Sequence, residues 1–248
     1  MPATPAWPPR STPRLFIEDR LAPGARIELD KAQTRYLTTV MRRQEGDPVR
    51  VFDDATGDYV ARIVQAGGAR CTLEVEEKLA GREQVPDLWL CAAPVHKDNF
   101  ALVAEKASEL GVRRLLPVVT QRCQHARVNE DRLRKRMIEA AEQCERSALP
   151  KLGATQKLAA LLGRWPADRT LFVCDETGGA PAARAFADIS GPAAILIGPE
   201  GGFAPEEREA ILALPQSRGI ALGPRILRAE TAAIAAVSLW MGAAGDWT

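Results

Sequence analysis

The chain has 248 residues, 46% of them hydrophobic and 26% charged, with a formal net charge of +1. Such a length predicts one or two domains able to bury a core without disulfides or metals. No apolar run reaches the ~20 residues that span a bilayer, which predicts a soluble chain with no membrane partner. A near-neutral balance names no partner by itself.

The N-terminal stretch, residues 1–13, carries prolines at positions 2, 5, 8, 9 and 13. It lacks the apolar core of a signal peptide, and its prolines oppose an amphipathic targeting helix, so a flexible arm is expected. The five cysteines, at positions 71, 91, 123, 144 and 174, form no CxxC pair, and His96 and His125 are the only histidines. Neither a disulfide framework nor a metal site is expected, and reduced thiols fit a cytoplasmic protein.

Residues 14–83 read as a small β-rich domain. RLFIE at 14–18 alternates as a strand does, and Asp30 is placed to cap a short helix carrying Tyr36, Leu37, Val40 and Met41 inward. PVRVFDD, YVARIVQ and CTLEVEEKL follow, separated by turns at Thr56-Gly57-Asp58 and Gly67-Gly68. Three short strands with glycine turns predict a meander or small barrel. Residues 81–86 read as a linker.

From residue 87 the pattern changes to strands alternating with helices. LWLCAA, RLLPVV, TLFVCD, AAILIG and GIALG are apolar runs. A helix over 98–110 gathers Phe100, Val103, Ala104, Ala107 and Leu110 on one face. Another over 129–146, capped by Asn129, gathers Leu133, Met137, Ala140, Ala141 and Cys144. Continuous apolar strands alternating with helices predict a parallel sheet covered on both faces. Between Arg113 and Arg136, eight basic residues face only Glu130 and Asp131, a local net of +6. Such a block suits phosphate contact, and a solvated helix face is the plainer alternative.

Two glycine loops dominate the C-terminal third. AAILIGPEGGFAPEERE is a strand, a loop at Gly198, Gly201 and Gly202, and a helix with Pro205 in its first turn. GIALGPRILRAETAAIAAV repeats that plan around Gly223. Two such loops at strand ends predict a ligand crevice at the carboxyl edge of the sheet. GxGxxG and GxxxxGK[ST] are both missing, which counts against dinucleotide and polyphosphate ligands. Backbone groups can bond an adenine edge, and the acidic Glu200 favours a cationic tail over a polyphosphate.

GPEGGF at 198–203 with LGPRILRAETAA at 222–233 resembles the signature of the SPOUT superfamily. More narrowly it resembles the ribosomal RNA small-subunit methyltransferase E family. KASELGVRRLLPVVTQRC at 106–123 and EAAEQCERSALPKL at 139–152 agree. The resemblance implies an α/β SPOUT domain over 86–248 with a C-terminal trefoil knot, preceded by a PUA-like β-barrel domain over 14–83. It also implies S-adenosylmethionine as cofactor, homodimerisation, and methylation of N3 of a uridine in 16S ribosomal RNA or the small ribosomal subunit.

Carried over by motif position, the implied cofactor residues are Gly198, Pro199, Glu200, Gly201, Gly202, Leu222, Gly223, Ile226, Leu227, Arg228 and Thr231. Because uridine N3 must lose a proton, a guanidinium near the uracil carbonyls would stabilise the developing anion. Arg228, Arg225 and Arg14 are the candidates, and Glu230 could position Arg228 or accept the proton. Implied RNA contacts are Arg14, Arg35, Arg42, Arg122, Arg127, Gln143 and Arg146. Glu142 and Arg146, one turn apart, could also form a plain i,i+4 pair. Arg35 departs from the histidine common in the family, and Ala204 from its usual Ser or Thr cap. Two other readings stand beside this one: an RNA-binding ribosome assembly factor of the same fold without catalysis, and an unrelated nucleotide-binding hydrolase.

Overall fold

A computed structural model describes residues 8, 12–67, 70–175 and 178–247. Most of the arm expected over 1–13 lies outside the described residues, as does Gly68 of the expected Gly67-Gly68 turn. The chain divides into two compact units, Met1–Gln84 with Ala141–Ala148, and Val85–Ala140 with Leu149–Thr248. Among the described residues no helix is long and apolar enough to cross a membrane.

The first unit is a five-stranded sheet with short helical turns. Its elements are β1 (Arg14–Phe16), β2 (Arg26–Glu28), α1 (Lys31–Arg35), β3 (Pro48–Asp53), β4 (Gly57–Gly67) and β5 (Arg70–Gly81), with strand order β1-β3-β4-β5-β2. The expected meander is β3-β4-β5, paired antiparallel, and β1 joins it parallel to β3. Register shifts between β4 and β5 bend the long strands, as bulges do. Inward residues Val49, Val51, Ala61, Ile63, Leu73 and Val75 form the core with Leu15, Leu29 and Leu37.

Asp30 caps α1 as expected, its carboxylate accepting the Gln33 amide at 2.7 Å. Beyond Arg35 the helix widens into a π-helical turn over Tyr36–Val40, closed by the Met41 amide donating to Tyr36 O. The wider turn breaks the 3.6-residue period, so only Leu37 of the expected inward set is fully buried. Val40 is 63% exposed.

Asp53, buried at the end of β3, organises the β3–β4 corner. Its carboxylate accepts the Leu21 amide at 2.6 Å, the Ala55 amide at 2.9 Å, the Thr56 hydroxyl at 2.6 Å, and the Thr56 and Gly57 amides. Burial alone would push the carboxyl up. The Thr56 hydroxyl, with the amides of Thr56, Leu21 and Ala55, outweighs it and holds the carboxyl below its usual range.

In the second unit the strands are β6 (Leu88–Ala92), β7 (Arg114–Val119), β8 (Lys151–Leu152), β9 (Gln156–Lys157), β10 (Thr170–Cys174), β11 (Ala180–Pro181), β12 (Ala193–Ile197) and β13 (Ser217–Ala221). Between and after them run α2 (Lys97–Glu109), α3 (Glu130–Gln143, whose last residues enter the first unit), α4 (Leu158–Leu162), α5 (Ala182–Ala187), α6 (Pro205–Leu212) and α7 (Ala229–Ala244). The strand order is β11-β13-β10-β12-β6-β7-β8, with β9 beside β7, and every pairing is parallel.

Alternation along each strand feeds two cores. Leu88, Leu90, Phe172, Ile195 and Ile197 pack with α2, α5 and α7 residues such as Phe100, Phe186 and Val237. Cys91, Leu171, Val173 and Leu196 pack on the other face with Leu158, Leu161 and Ile211 of α4 and α6. Both faces are therefore dry, as the unbroken apolar runs require.

The expected helix over 129–146 stops at Gln143, and Cys144 is exposed rather than part of the apolar stripe. Glu145 adopts φ +57, a left-handed value that ends helical winding. The basic block also divides. Arg113 and Arg114 stand at the amino end of β7, with Arg113 3.6 Å from Asp87 and Arg114 over the Trp89 ring. Arg122 and Arg127 follow its carboxyl end, roughly 20 Å away at about 3.3 Å per residue of strand, so the stretch is not one patch.

Ala204 is the N-cap of α6, and its amide donates to Glu207 Oε2 at 3.1 Å. Half of a capping box is thus present, and the cap's own acceptor is missing. Ala204→Ser is expected to raise stability by about 0.5–2 kcal/mol, read as a higher urea midpoint. A lower or unchanged midpoint contradicts this account. The Asp53 network predicts acid sensitivity. Its stabilisation is complete above the unfolded aspartate value and is lost as pH falls through the lower folded value, from about pH 4 downward. Asp53→Asn should flatten that part of the stability–pH curve, and a curve parallel to wild type would refute the assignment.

Candidate functional site

Strand order decides where the loops meet. β10 lies between β12 and β13, so the segments that follow these three parallel strands emerge side by side at one sheet edge. Residues 198–203 follow β12, residues 222–228 follow β13, and Asp175 follows β10. Gly202 has φ +67 and Gly223 φ +116, conformations that side chains with a Cβ rarely adopt. The Gly202 amide closes the first loop on Pro199 O at 2.9 Å.

Between the loops is a cleft of about 380 Å³. Cys174, Ile197, Ile220, Phe203, Ala229 and Ala232 contribute apolar surface to its lining, and Asp175, Glu200 and Arg225 contribute the charge. Burial pushes the Cys174 thiol up to about 12, so it stays protonated near neutrality and is no nucleophile.

Gly198, Pro199, Glu200, Gly201, Gly202, Leu222, Gly223, Ile226 and Leu227 all line this cleft, and Arg225 joins them. Arg228 and Thr231 do not. Arg228 is the exposed N-cap residue of α7, its carbonyl accepting the Ala232 amide at 2.8 Å. Thr231 is exposed, because the cleft-facing side of α7 carries Ala229 and Ala232, three residues apart on one face. Glu230 is only 8% exposed, does not line the cleft, and makes no ion pair with Arg228 among the described residues. Its Oε2 is buried without a hydrogen-bond partner.

Arg14, a candidate for catalysis and for RNA contact, is enclosed by the fold. Its guanidinium side chain is 4% exposed and ion-paired with Asp58 at 2.8 Å. It also donates to the carbonyls of Ala141 and Arg146, each at 2.8 Å, and lies 3.7 Å from the Phe52 ring centre. These contacts tie residues 141–148 to β1. Glu142 accepts the Phe16 amide at 3.0 Å, and Arg146 lies 2.8 Å from Glu83, so both serve the same attachment.

Arg35, Arg42, Arg127 and Gln143 are exposed. Arg42 has φ +53, the left-handed region, at the end of the π-helical turn. Arg122 donates from Nη1 to Gly201 O at 2.9 Å, joining the loop after β7 to the first glycine loop. Glu207 strengthens that junction by accepting the Gln121 amide at 2.8 Å. The sequence reading missed Asp175 and Arg208, which are 2.9 Å apart. The available signal was the acid that closes the apolar run TLFVCD.

The profile of the RNA methyltransferase domain family matches residues 82–241, and that of the RNA methyltransferase PUA domain matches residues 29–76. Ribosomal RNA small subunit methyltransferase E of Rickettsia conorii is 32% identical over 230 residues, covering 91% of this chain and 93% of that protein. The chain belongs to this family. Among solved structures, a methyltransferase from Legionella pneumophila with bound S-adenosylmethionine superposes with a TM-score of 0.86 at 26% identity. It covers 95% of this chain and 99% of its own. Ribosomal RNA small subunit methyltransferase E from Neisseria gonorrhoeae, also bound to S-adenosylmethionine, gives a TM-score of 0.83 at 25% identity, covering 96% and 100%.

Arg14→Met should be strongly destabilising, by about 3–5 kcal/mol, because it leaves the buried Asp58 carboxylate without its main partner. Urea unfolding measures this directly, and an unchanged midpoint would return Arg14 to the list of substrate-binding candidates.

Proposed function

We propose that this protein transfers a methyl group from S-adenosylmethionine to N3 of a uridine in 16S ribosomal RNA, acting as a homodimer in the cytoplasm. The observation that carries the reading is the cleft enclosed by the two glycine loops. Its volume of about 380 Å³ falls within the range that holds small-molecule ligands. Its apolar surface suits a base, and the exposed carboxylate of Glu200 suits the positive tail of the ligand. The relatives solved with S-adenosylmethionine support the same ligand.

The cofactor supplies a methyl group on a sulfonium, ready for in-line displacement. The protein's own contribution is alignment and charge. The two glycine loops hold the donor by backbone groups, and alignment of this kind accounts for much of the rate in such transfers. On reaction the N3–H proton would pass to solvent water as the N3–CH3 bond forms and the S–CH3 bond breaks, with S-adenosylhomocysteine as the leaving product. Arg225, exposed at the rim of the cleft, is the guanidinium assigned to the uracil carbonyls, where negative charge develops. Arg228, three residues on, is assigned to the approach of the RNA. Glu230 is assigned no step.

Arg35, Arg42, Arg122, Arg127 and Gln143 are proposed RNA contacts by exposure. The domain limits are proposed at 14–83 and 86–248, with the C-terminal loops threaded as the family's knot. Exposed apolar side chains at Ile226 (94%), Leu239 (40%) and Trp247 (55%) support a subunit contact involving α7 and its flanks.

Small subunits isolated from cells lacking this protein, incubated with it and S-adenosylmethionine, should gain one 3-methyluridine per 16S RNA by nucleoside mass spectrometry. Arg225→Ala should slow that gain at least tenfold. Methylation at another atom would correct the specificity, and no methylation together with tight RNA binding would favour an assembly factor.

A further inference from the structure

Beside the cleft, one exposed guanidinium is fixed to the cleft wall without being neutralised there. Arg122 follows β7, and in the sheet β6 separates β7 from β12. The loop after β7 therefore reaches over the end of β6 to meet the first glycine loop. Arg122 Nη1 donates to the carbonyl of Gly201, a residue that lines the cleft, at 2.9 Å. The aliphatic stem lies along the same glycine: a methyl group placed on Gly201 would touch Arg122 Cβ at 3.5 Å and Cδ at 3.7 Å. The backbones are joined independently, because Glu207 accepts the Gln121 amide with one carboxylate oxygen and the Ala204 amide with the other.

A backbone carbonyl carries no net charge, so the bond to Gly201 leaves the charge of Arg122 uncompensated. Among the described residues no carboxylate pairs with Arg122, and none pairs with the exposed Arg127 of the same loop. Residues 120–129, TQRCQHARVN, contain neither Asp nor Glu. The guanidinium fork has further N–H donors beyond the one on Gly201, in a plane that matches phosphate oxygens. An exposed loop with positive charge and no acid fits the sugar–phosphate backbone of RNA.

We propose that Arg122 couples the two substrates of this site, holding the cofactor loop through Gly201 O while its remaining donors take an RNA phosphate beside the target nucleotide. The inference rests on the methyltransferase reading above. Arg122 is a positioning residue, since it touches the cofactor loop and the RNA backbone but no reacting atom.

The coupling follows from side-chain ordering. A long arginine side chain gives up rotamer freedom when it is fixed. A cofactor seated in the cleft steadies the first glycine loop, and with it the acceptor that orients Arg122. The phosphate then meets a guanidinium already ordered. The effect is mutual, because a phosphate that immobilises Arg122 also steadies Gly201, and linkage makes the two factors equal.

The test uses the full chain, S-adenosylhomocysteine as the unreactive form of the cofactor, and small subunits from cells lacking this protein. Subunit affinity is measured over a range of salt, with and without S-adenosylhomocysteine at a level that saturates each variant. For wild type the nucleoside should tighten subunit binding about fivefold or more. Arg122→Met keeps an aliphatic stem over Gly201 and removes the guanidinium. The tightening should vanish, and the slope of log affinity against log salt should fall by about one. Arg127→Met removes a guanidinium that has no bond to the cofactor loop, so the tightening should persist at its wild-type size.

Tightening lost in Arg122→Met with an unchanged salt slope makes Arg122 a clip for the loop alone and overturns the proposal. A lowered slope with the tightening intact overturns it too, as the mark of a phosphate contact that couples nothing. So does an equal loss of tightening in Arg127→Met. If wild type binds neither S-adenosylhomocysteine nor subunits, the methyltransferase reading fails and the coupling with it. If wild type binds both without any tightening, only the coupling fails.

Discussion

The position of one strand governs the functional half of this protein. β10 is held between β12 and β13 by parallel hydrogen-bonded registers, Leu171 to Ala194 on one side and Leu171 to Ser217 on the other. Parallel pairing directs all three carboxyl ends to the same edge, and strand spacing of about 4.8 Å keeps their loops within reach of one small ligand. Were β10 elsewhere in the sheet, the two glycine loops would not flank a common acidic residue. The cleft is therefore a consequence of strand order before it is a consequence of any side chain.

That arrangement is rigid because both faces of the sheet are dry. Ala193, Ala194, Ile195 and Leu196 are completely buried, feeding opposite cores in alternation. Loops anchored to such strands have little freedom at their roots. The first glycine loop is secured by the bond from Arg122 to Gly201 O, and Glu207 of α6 accepts the Gln121 amide beside it.

The first unit relies on a different device. Where the second unit has two continuous cores, the first has one core and several buried polar hubs. Asp53 gathers three segments through a single carboxylate, and Arg14 joins β1, β4 and residues 141–148 through a single guanidinium. Buried charges of this kind constrain geometry more than they add stability.

Much of this molecule follows from local rules that residues obey wherever they stand. The five long strands of the parallel sheet, the caps at Asp30 and Asn129 and the two glycine loops follow from apolar runs, side-chain acceptors and glycine, each readable over a window of a few residues. The family signature in 198–203 and 222–233 then indicated the ligand class. What tertiary structure alone decided was anything that depended on distant segments meeting. Arg14 looked available until Asp58, Ala141 and Arg146 were found around it. Thr231 looked cleft-facing until Ala229 and Ala232 were seen to occupy that face of α7. Asp175 ended an unremarkable apolar run until strand order set it between both loops. Periodicity reports the environment a residue needs, whereas its partners are chosen by the topology that satisfies all segments at once.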